Sequence, residues 1–541
     1  MKDFIFIKND FLIPLPDKIS ICDKDEKALI SNEKGSNAQI YAPEINFYLK
    51  NSQDDYLNKA KNTLLLYEVR ASIYDLGLDL EYEKQVGANI IIASKENKDI
   101  LSEYLRHSGF KILQINEALG VYGSVGELSV ISKNEGEELE IECDLFLYDE
   151  PNESFTRQSG CYDLRKFKDK EHLLEFLQSK SPVYRYKNLI GYDSSICQYA
   201  KRREECCGKC ALICPTTAII KLDETKELDF SMPDCIGCGD CVSICPSGSL
   251  EFTPLPKASF YALLDFYEGK KILLIDEDFA LEKLDIRLNE GVLPLMLKSS
   301  QLNETQLLAL LQSSGASLIL CATHFSKGNE EACELLNTIF ERKFGKKAIF
   351  KAFDKQSLQE ALDNCEFIEN LRFKLPQSPM LKREEFAKRL LNLINENDLG
   401  VVESGEWLRY GQISVNANTC TLCLACVGAC NVGALIADSK ENALKFNPSL
   451  CTTCGYCIVS CAEKDTMSMQ RSGLELKQSF FHFHTLAKDE LFACVECGKA
   501  FATTKAVQKV ANLMKEQFAT NEKKLKTLYC CAECKAKLMI F

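Results

Sequence analysis

No apolar run in this chain of 541 residues approaches membrane-spanning length. The best candidate, Leu307 to Ala322, is interrupted by Gln312, Ser313, Ser314, Gly315 and Ser317. The opening residues, Met1 to Asp10, lack a basic region followed by an apolar core and a cleavage site, so no secretory leader is expected. Positive charge is also in deficit. The 65 Lys and Arg against 78 Asp and Glu leave a formal net charge of −13, a poor match for nucleic acid. No glycine fingerprint follows a strand and opens a helix, as a dinucleotide site requires. Gly120, Gly123 and Gly126 come closest, but the segment after them, Glu127 to Ile131, reads as a strand, so a hairpin turn is the expectation. Together these absences point to a soluble, cytoplasmic protein with no membrane span and no nucleic-acid partner.

What the chain has in abundance is cysteine, 28 in all, gathered in blocks. Cys207, Cys210, Cys214, Cys235, Cys238, Cys241 and Cys245 recur as Cys423, Cys426, Cys430, Cys451, Cys454, Cys457 and Cys461, each 216 positions later, the distance from Cys207 to Cys423. Each set is built on the run C-x-x-C-x-x-C-x-x-x-C used twice, the ligand pattern of a two-cluster bacterial ferredoxin. Three thiolates of one run wrap one 4Fe-4S cube and the fourth reaches the neighbouring cube, so the two are cross-tied. Disulfides are not expected in a long chain without a leader. Zinc sites use paired C-x-x-C turns, not tandem runs ending in Cys214-Pro215 and Cys245-Pro246. Four 4Fe-4S clusters are therefore implied, with single-electron transfer as their work. In the second module Asn431 and Ala462 stand where the pattern has proline, a change expected to loosen the backbone without removing a ligand.

The ligand sets follow from the spacing. In the second module Cys420, Cys423, Cys426 and Cys461 make one set, and Cys451, Cys454, Cys457 and Cys430 the other. In the first, Cys235, Cys238, Cys241 and Cys214 are complete, while Cys207, Cys210 and Cys245 lack a regular first ligand, because Glu204 stands 216 positions before Cys420. Cys206 and Cys197 are the candidates. Adjacent side chains diverge, so Cys206 and Cys207 would rarely face one small cube; Cys197, returning over a loop, is favoured. A 3Fe-4S centre and Glu204 as an oxygen ligand stay open. The basic triplet Lys201, Arg202 and Arg203 reads as a solvated spot.

The fold class expected is α/β plus α+β and multidomain: two ferredoxin-like modules joined to α/β domains, with a small zinc-ribbon-like element at the end. Residues 1–190 alternate strands and helices, with Ala88 to Ser94 and Phe110 to Ile115 as strands around a helix, Lys98 to His107. The first module spans 191–254, with Ala218 to Leu222 and Glu227 to Phe230 as paired short strands. Residues 255–380 read as a parallel sheet covered on both faces, with strands at Lys271 to Ile275, Val292 to Leu297, Ser317 to Cys321 and Ala348 to Phe353. A connecting amphipathic helix lies in 381–404, the second module spans 405–472, and residues 473–541 close the chain. There Cys494, Cys497, Cys531 and Cys534 form two C-x-x-C knuckles suited to one tetrahedral Zn2+, or to a rubredoxin-like iron. Cys530, His482 and His484 are spare.

The run Ile196 to Pro215 (ICQYAKRREECCGKCALICP), the paired modules and the terminal C-x-x-C-G-K with its later C-x-x-C resemble a family of bacterial cytoplasmic 4Fe-4S ferredoxin-type proteins, or polyferredoxins, over about half of the chain. That resemblance places a cysteine where Cys197 stands. It implies an electron relay whose partner is a formate dehydrogenase or another molybdenum oxidoreductase; with the acidic chain, a basic docking face on that partner fits. The middle portion is similar to the iron-sulfur delta subunit of methanogen-type hydrogenases, in strand order and in Gly315 to Gly328. Those relatives carry cysteine pairs at strand ends, whereas here Cys321, Cys333 and Cys365 are isolated, so a docking or spacer domain is implied. Two other readings stand beside the relay: a maturation factor for a molybdenum oxidoreductase, and a flavin- or nucleotide-dependent oxidoreductase subunit.

Overall fold

The computed structural model describes every residue except 1, 9, 10, 79, 97, 135, 136, 151, 282, 283, 377, 378 and 541. The ends of the opening segment Met1 to Asp10 and the middle of the proline-containing stretch Leu375 to Met380 therefore lie outside the described residues. Among those described, no helix is long and apolar enough to cross a membrane.

Residues 271–275, 292–296, 318–321 and 349–352 form a four-stranded parallel sheet, with the 271–275 and 318–321 strands at its centre. Ile272, Leu273, Leu274 and Ile275 are all fully buried, as an unbroken apolar run must be when helices cover both faces. The helix Glu304–Ser314 starts on a capping box, Asn303 with Gln306, and stops at Gly315, whose φ of +73° ends it without strain on a side chain. Lys382–Ile394, expected as a connector, packs on Glu304–Ser314 and adds Phe386, Leu390 and Ile394 to the same core. Cys321, Cys333 and Cys365 are buried free thiols.

The stretch before the first module divides into two units. Strands Lys2–Phe6, Ile19–Ile21, Ala28–Ser31 and Ala38–Tyr41 form one parallel sheet, and the helices Pro43–Asn51 and Tyr56–Leu76 carry Ile45, Tyr48, Leu66 and Tyr67 into the core shared with the middle sheet. A second parallel sheet, Cys161–Asp163, Leu145–Tyr148, Asn89–Ala93 and Lys111–Ile115 in that order, has cores of its own. Ile90 and Ile92 face one of these cores while Ile91 and Ala93 face the other, so the run ANIIIAS is apolar on both sides of the sheet. The glycine segment is the hairpin Ala118–Ser124 with Glu127–Asn134.

The two modules repeat in structure as in sequence. Strands Ile219–Leu222 and Glu227–Phe230 pair antiparallel, and so do Leu435–Asp438 and Ala443–Phe446, their counterparts 216 positions on. The first module rests on the middle sheet unit where glycine allows close approach: a Cβ on Gly328 would stand 2.4 Å from Ser243 Oγ, and one on Gly239 would meet Gln301 at 2.9 Å.

Candidate metal centres

Three of the four ligand turns use left-handed backbone. Gly237 and Gly239 (φ +67° and +84°), Thr453 and Gly455 (+50° and +81°), and Leu422 and Leu424 (+53° and +61°) flank the middle cysteines of their runs. For Thr453, Leu422 and Leu424 this costs on the order of 1–2 kcal/mol each. The turn aims N–H groups at sulfur: Thr453 N donates to Cys451 Sγ at 3.3 Å, and the amides of Gly237 and Leu422 hold Cys235 and Cys420 in the same way. Strain of this kind, repeated in three loops, is backbone shaped around an anionic group.

Geometry separates Cys197 from Cys206, the two candidates for the first ligand of this set. In the second module the strand Gln412–Val415 ends five residues before Cys420; in the first, Ile190–Tyr192 ends five residues before Cys197. Tyr199 N donates to Cys197 Sγ at 3.4 Å, the same two-residue N–H to sulfur contact made at Cys235, Cys420 and Cys451. Cys197 is 6 % exposed, and its sulfur acts electrostatically on Cys210, along with Cys245 and Cys207. Cys206 is drawn elsewhere: its thiol, raised to about 11 mainly by burial, feels Cys454 of the other module first among its charged neighbours, then Arg202. The spacing from Cys197 to Cys207 is ten residues against three from Cys420 to Cys423, so the first module carries seven extra residues at this turn.

Those extra residues build the junction between modules. Asn431, in the place of the pattern's proline, donates to Ser195 O and Cys197 O at 3.0 Å each and accepts from Gln198 Nε2 at 2.8 Å. Arg202 donates to Ala429 O at 2.8 Å and lies 4.5 Å from the centre of the Tyr456 ring. The residue expected to loosen the backbone is thus a clamp. The triplet expected to be a solvated spot sends Arg202 across the interface, where its Nε is buried.

The thiols fit 4Fe-4S cubes rather than single ions. All 28 cysteines are free. Burial, reinforced by neighbouring thiols, pushes Cys210 and Cys241 well above the usual thiol range, and Cys451 up to about 12, so bound metal is needed to hold them as thiolates. Buried polar atoms without a partner among the described residues, Thr453 Oγ1 and Arg202 Nε, lie beside these sets, as donors to inorganic sulfide would. Among the described residues, the group whose ligand atoms all converge within 4.8 Å is Cys494, Cys497, Cys531 and Cys534. A cube with iron at alternate corners keeps its thiolates farther apart than one ion does; the terminal set converges as closely as a single ion requires.

At the terminal set Cys497 and Cys531 sulfurs are 3.7 Å apart, close to the ~3.8 Å edge of a tetrahedron with 2.3 Å metal–sulfur bonds. Burial acts to raise the Cys494 thiol, but the amides of Cys531, Cys497 and Glu496 overcome it and bring it down to about 6. Cys530 donates to Lys526 O at 3.2 Å and stands outside the group, as do His482 and His484.

Comparison with known families agrees with this geometry. Residues 204–253 and 412–462 each match the model of a 4Fe-4S dicluster domain. The first match begins at Glu204, so Cys197 lies before it. No curated protein matches the chain. The two modules are 4Fe-4S dicluster domains, and the protein is an iron-sulfur electron-transfer protein, which implies redox partners.

Proposed function

We propose that the chain is a polyferredoxin carrying four 4Fe-4S clusters, held by Cys197, Cys207, Cys210 and Cys245; by Cys235, Cys238, Cys241 and Cys214; by Cys451, Cys454, Cys457 and Cys430; and by Cys420, Cys423, Cys426 and Cys461. The observation that carries the reading is the four-fold recurrence of one ligand turn, with its amides aimed at sulfur. All-cysteine ligation leaves no open iron, so the chain conducts electrons instead of transforming a substrate. The protein's residues supply burial, N–H donors and a fixed spacing; the clusters, when bound, supply the one-electron couple. Cys494, Cys497, Cys531 and Cys534 hold one structural Zn2+, since four closed thiolates leave no reactive position. The relay works in the cytoplasm between a dehydrogenase, with formate dehydrogenase or another molybdenum oxidoreductase as the partner, and a second redox protein; the choice of partner rests on the sequence resemblance alone.

Anaerobic reductive titration tests the relay. About four electrons should enter each chain, one per cube. Uptake of two or fewer by protein with full iron content would overturn it.

A further inference from the structure

The first turn of the helix Lys382–Ile394 places two buried cations against the point where the modules meet. Lys382 Nζ lies 2.9 Å from Cys245 O and 2.9 Å from a carboxylate oxygen of Glu304, so its charge is matched by that fully buried acid. Arg383 is 2 % exposed, and among the described residues no carboxylate pairs with it directly, although Glu304 feels its charge after that of Lys382. Its Nη2 donates to Arg409 O at 2.9 Å, its Nε reaches Pro246 O at 3.4 Å, and its guanidinium lies 3.8 Å from the centre of the Tyr410 ring. One side chain thus ties the residue after Cys245 in the first module to the strand entry of the second. Its Nη1 is buried without a partner among the described residues. Arg383 also acts on the Cys451 thiol, opposing the burial that raises it, so its field reaches the second module's ligands as well.

Resting on the four-cluster reading, we propose that Arg383 is a positioning residue that raises the reduction potentials of the two inner centres. These are the Cys197, Cys207, Cys210 and Cys245 centre and the Cys430, Cys451, Cys454 and Cys457 centre, which adjoin at this junction. Reduction adds one negative charge to a cube. A buried cation beside it, not neutralised by a direct ion pair, stabilises that charge, and a free N–H can donate to sulfur. The order along the chain of centres is then outer, inner, inner, outer. The outer pair are the centre of Cys235, Cys238, Cys241 and Cys214 and that of Cys420, Cys423, Cys426 and Cys461. Electrons entering at either end collect at the junction.

The test is an anaerobic potentiometric titration of the full chain, followed by electron paramagnetic resonance, on wild type, Arg383→Gln and Arg383→Lys, with iron counted in each. In Arg383→Gln two of the four potentials should fall, each by about tenfold in the one-electron equilibrium, or about 59 mV. The other two should not move, and Arg383→Lys should recover most of the shift. The two that move should be the signals lost in Cys207→Ser and Cys454→Ser. Glu304→Gln, which removes the facing carboxylate, should move the same two upward and carries the test if Arg383→Gln loses iron. Four unmoved potentials, or four equal shifts, in variants with full iron would overturn the proposal and leave the four-cluster reading intact. Loss of iron from every variant would mark Arg383 as a structural clamp only and overturn it equally. Iron far below four cubes in the wild type would instead overturn the reading beneath it.

Discussion

Replacing Cys197 and Cys206 separately by serine separates two chemically plausible ligands by their surroundings. Cys197 is 6 % exposed, accepts the Tyr199 amide, and acts on Cys210 together with Cys245 and Cys207. Cys206 is instead influenced by Cys454 across the junction and by Arg202 of its own loop. Four cubes hold about 16 iron atoms per chain. If Cys197 closes its set, Cys197→Ser loses between about one iron, for a residual 3Fe-4S centre, and about four, for the whole cube, while Cys206→Ser keeps the wild-type count. Iron and sulfide analysis of anaerobically purified variants reads this directly. The 3Fe-4S outcome adds an oxidised-state paramagnetic signal absent from the wild type. Full iron in Cys197→Ser together with a deficit in Cys206→Ser would refute the argument from the strand-to-cysteine spacing.

Three further outcomes are expected. Asn431→Leu removes three inter-module hydrogen bonds, worth about 1 kcal/mol each, and should lower stability by about 2–3 kcal/mol in denaturant titration without changing the iron count; loss of a cube would mean that Asn431 supports a ligand instead. Phe340→Ala opens a cavity in the fully buried middle core and should cost about 3–5 kcal/mol, with the absorbance of folded protein unchanged; a smaller loss would show that the middle unit is loosely packed. The Cys494 thiol lies at about 6 in the folded protein against 9.0 for a free thiol, so its thiolate is favoured above 9.0 and its contribution is lost as pH falls through about 6. Protons compete with metal for all four thiolates of the terminal set, so bound zinc should be retained at neutral pH and released on acidification, followed with a chromophoric chelator; binding that does not weaken as pH falls would contradict thiolate ligation.

The ligand runs were legible because a cluster fixes residue type and spacing locally, and the 216-residue offset exposed the gap at Glu204. Strands such as Lys271–Ile275 and the hairpin after Gly120 were legible from apolar runs and turn residues. The junction was not. Asn431 reads in isolation as a lost proline, and Arg202 as one of three solvated cations, because their partners Cys197 O and Ala429 O lie more than 200 positions away along the chain. The one signal available was the seven-residue excess between Cys197 and Cys207, which marks an insertion without saying what it touches. Likewise the amphipathic pattern of Lys382–Ile394 foretold a helix, but its role depends on Glu304, Cys245 and Tyr410, three separate elements.

In the proposed relay, sixteen cysteines in two duplicated modules enclose four iron-sulfur cubes. Iron, acid-labile sulfide and zinc measured on oxygen-free protein test it most directly. About 16 iron, about 16 sulfide and one zinc per chain are predicted. Colourless protein, or zinc filling the ferredoxin loops without sulfide, would contradict it.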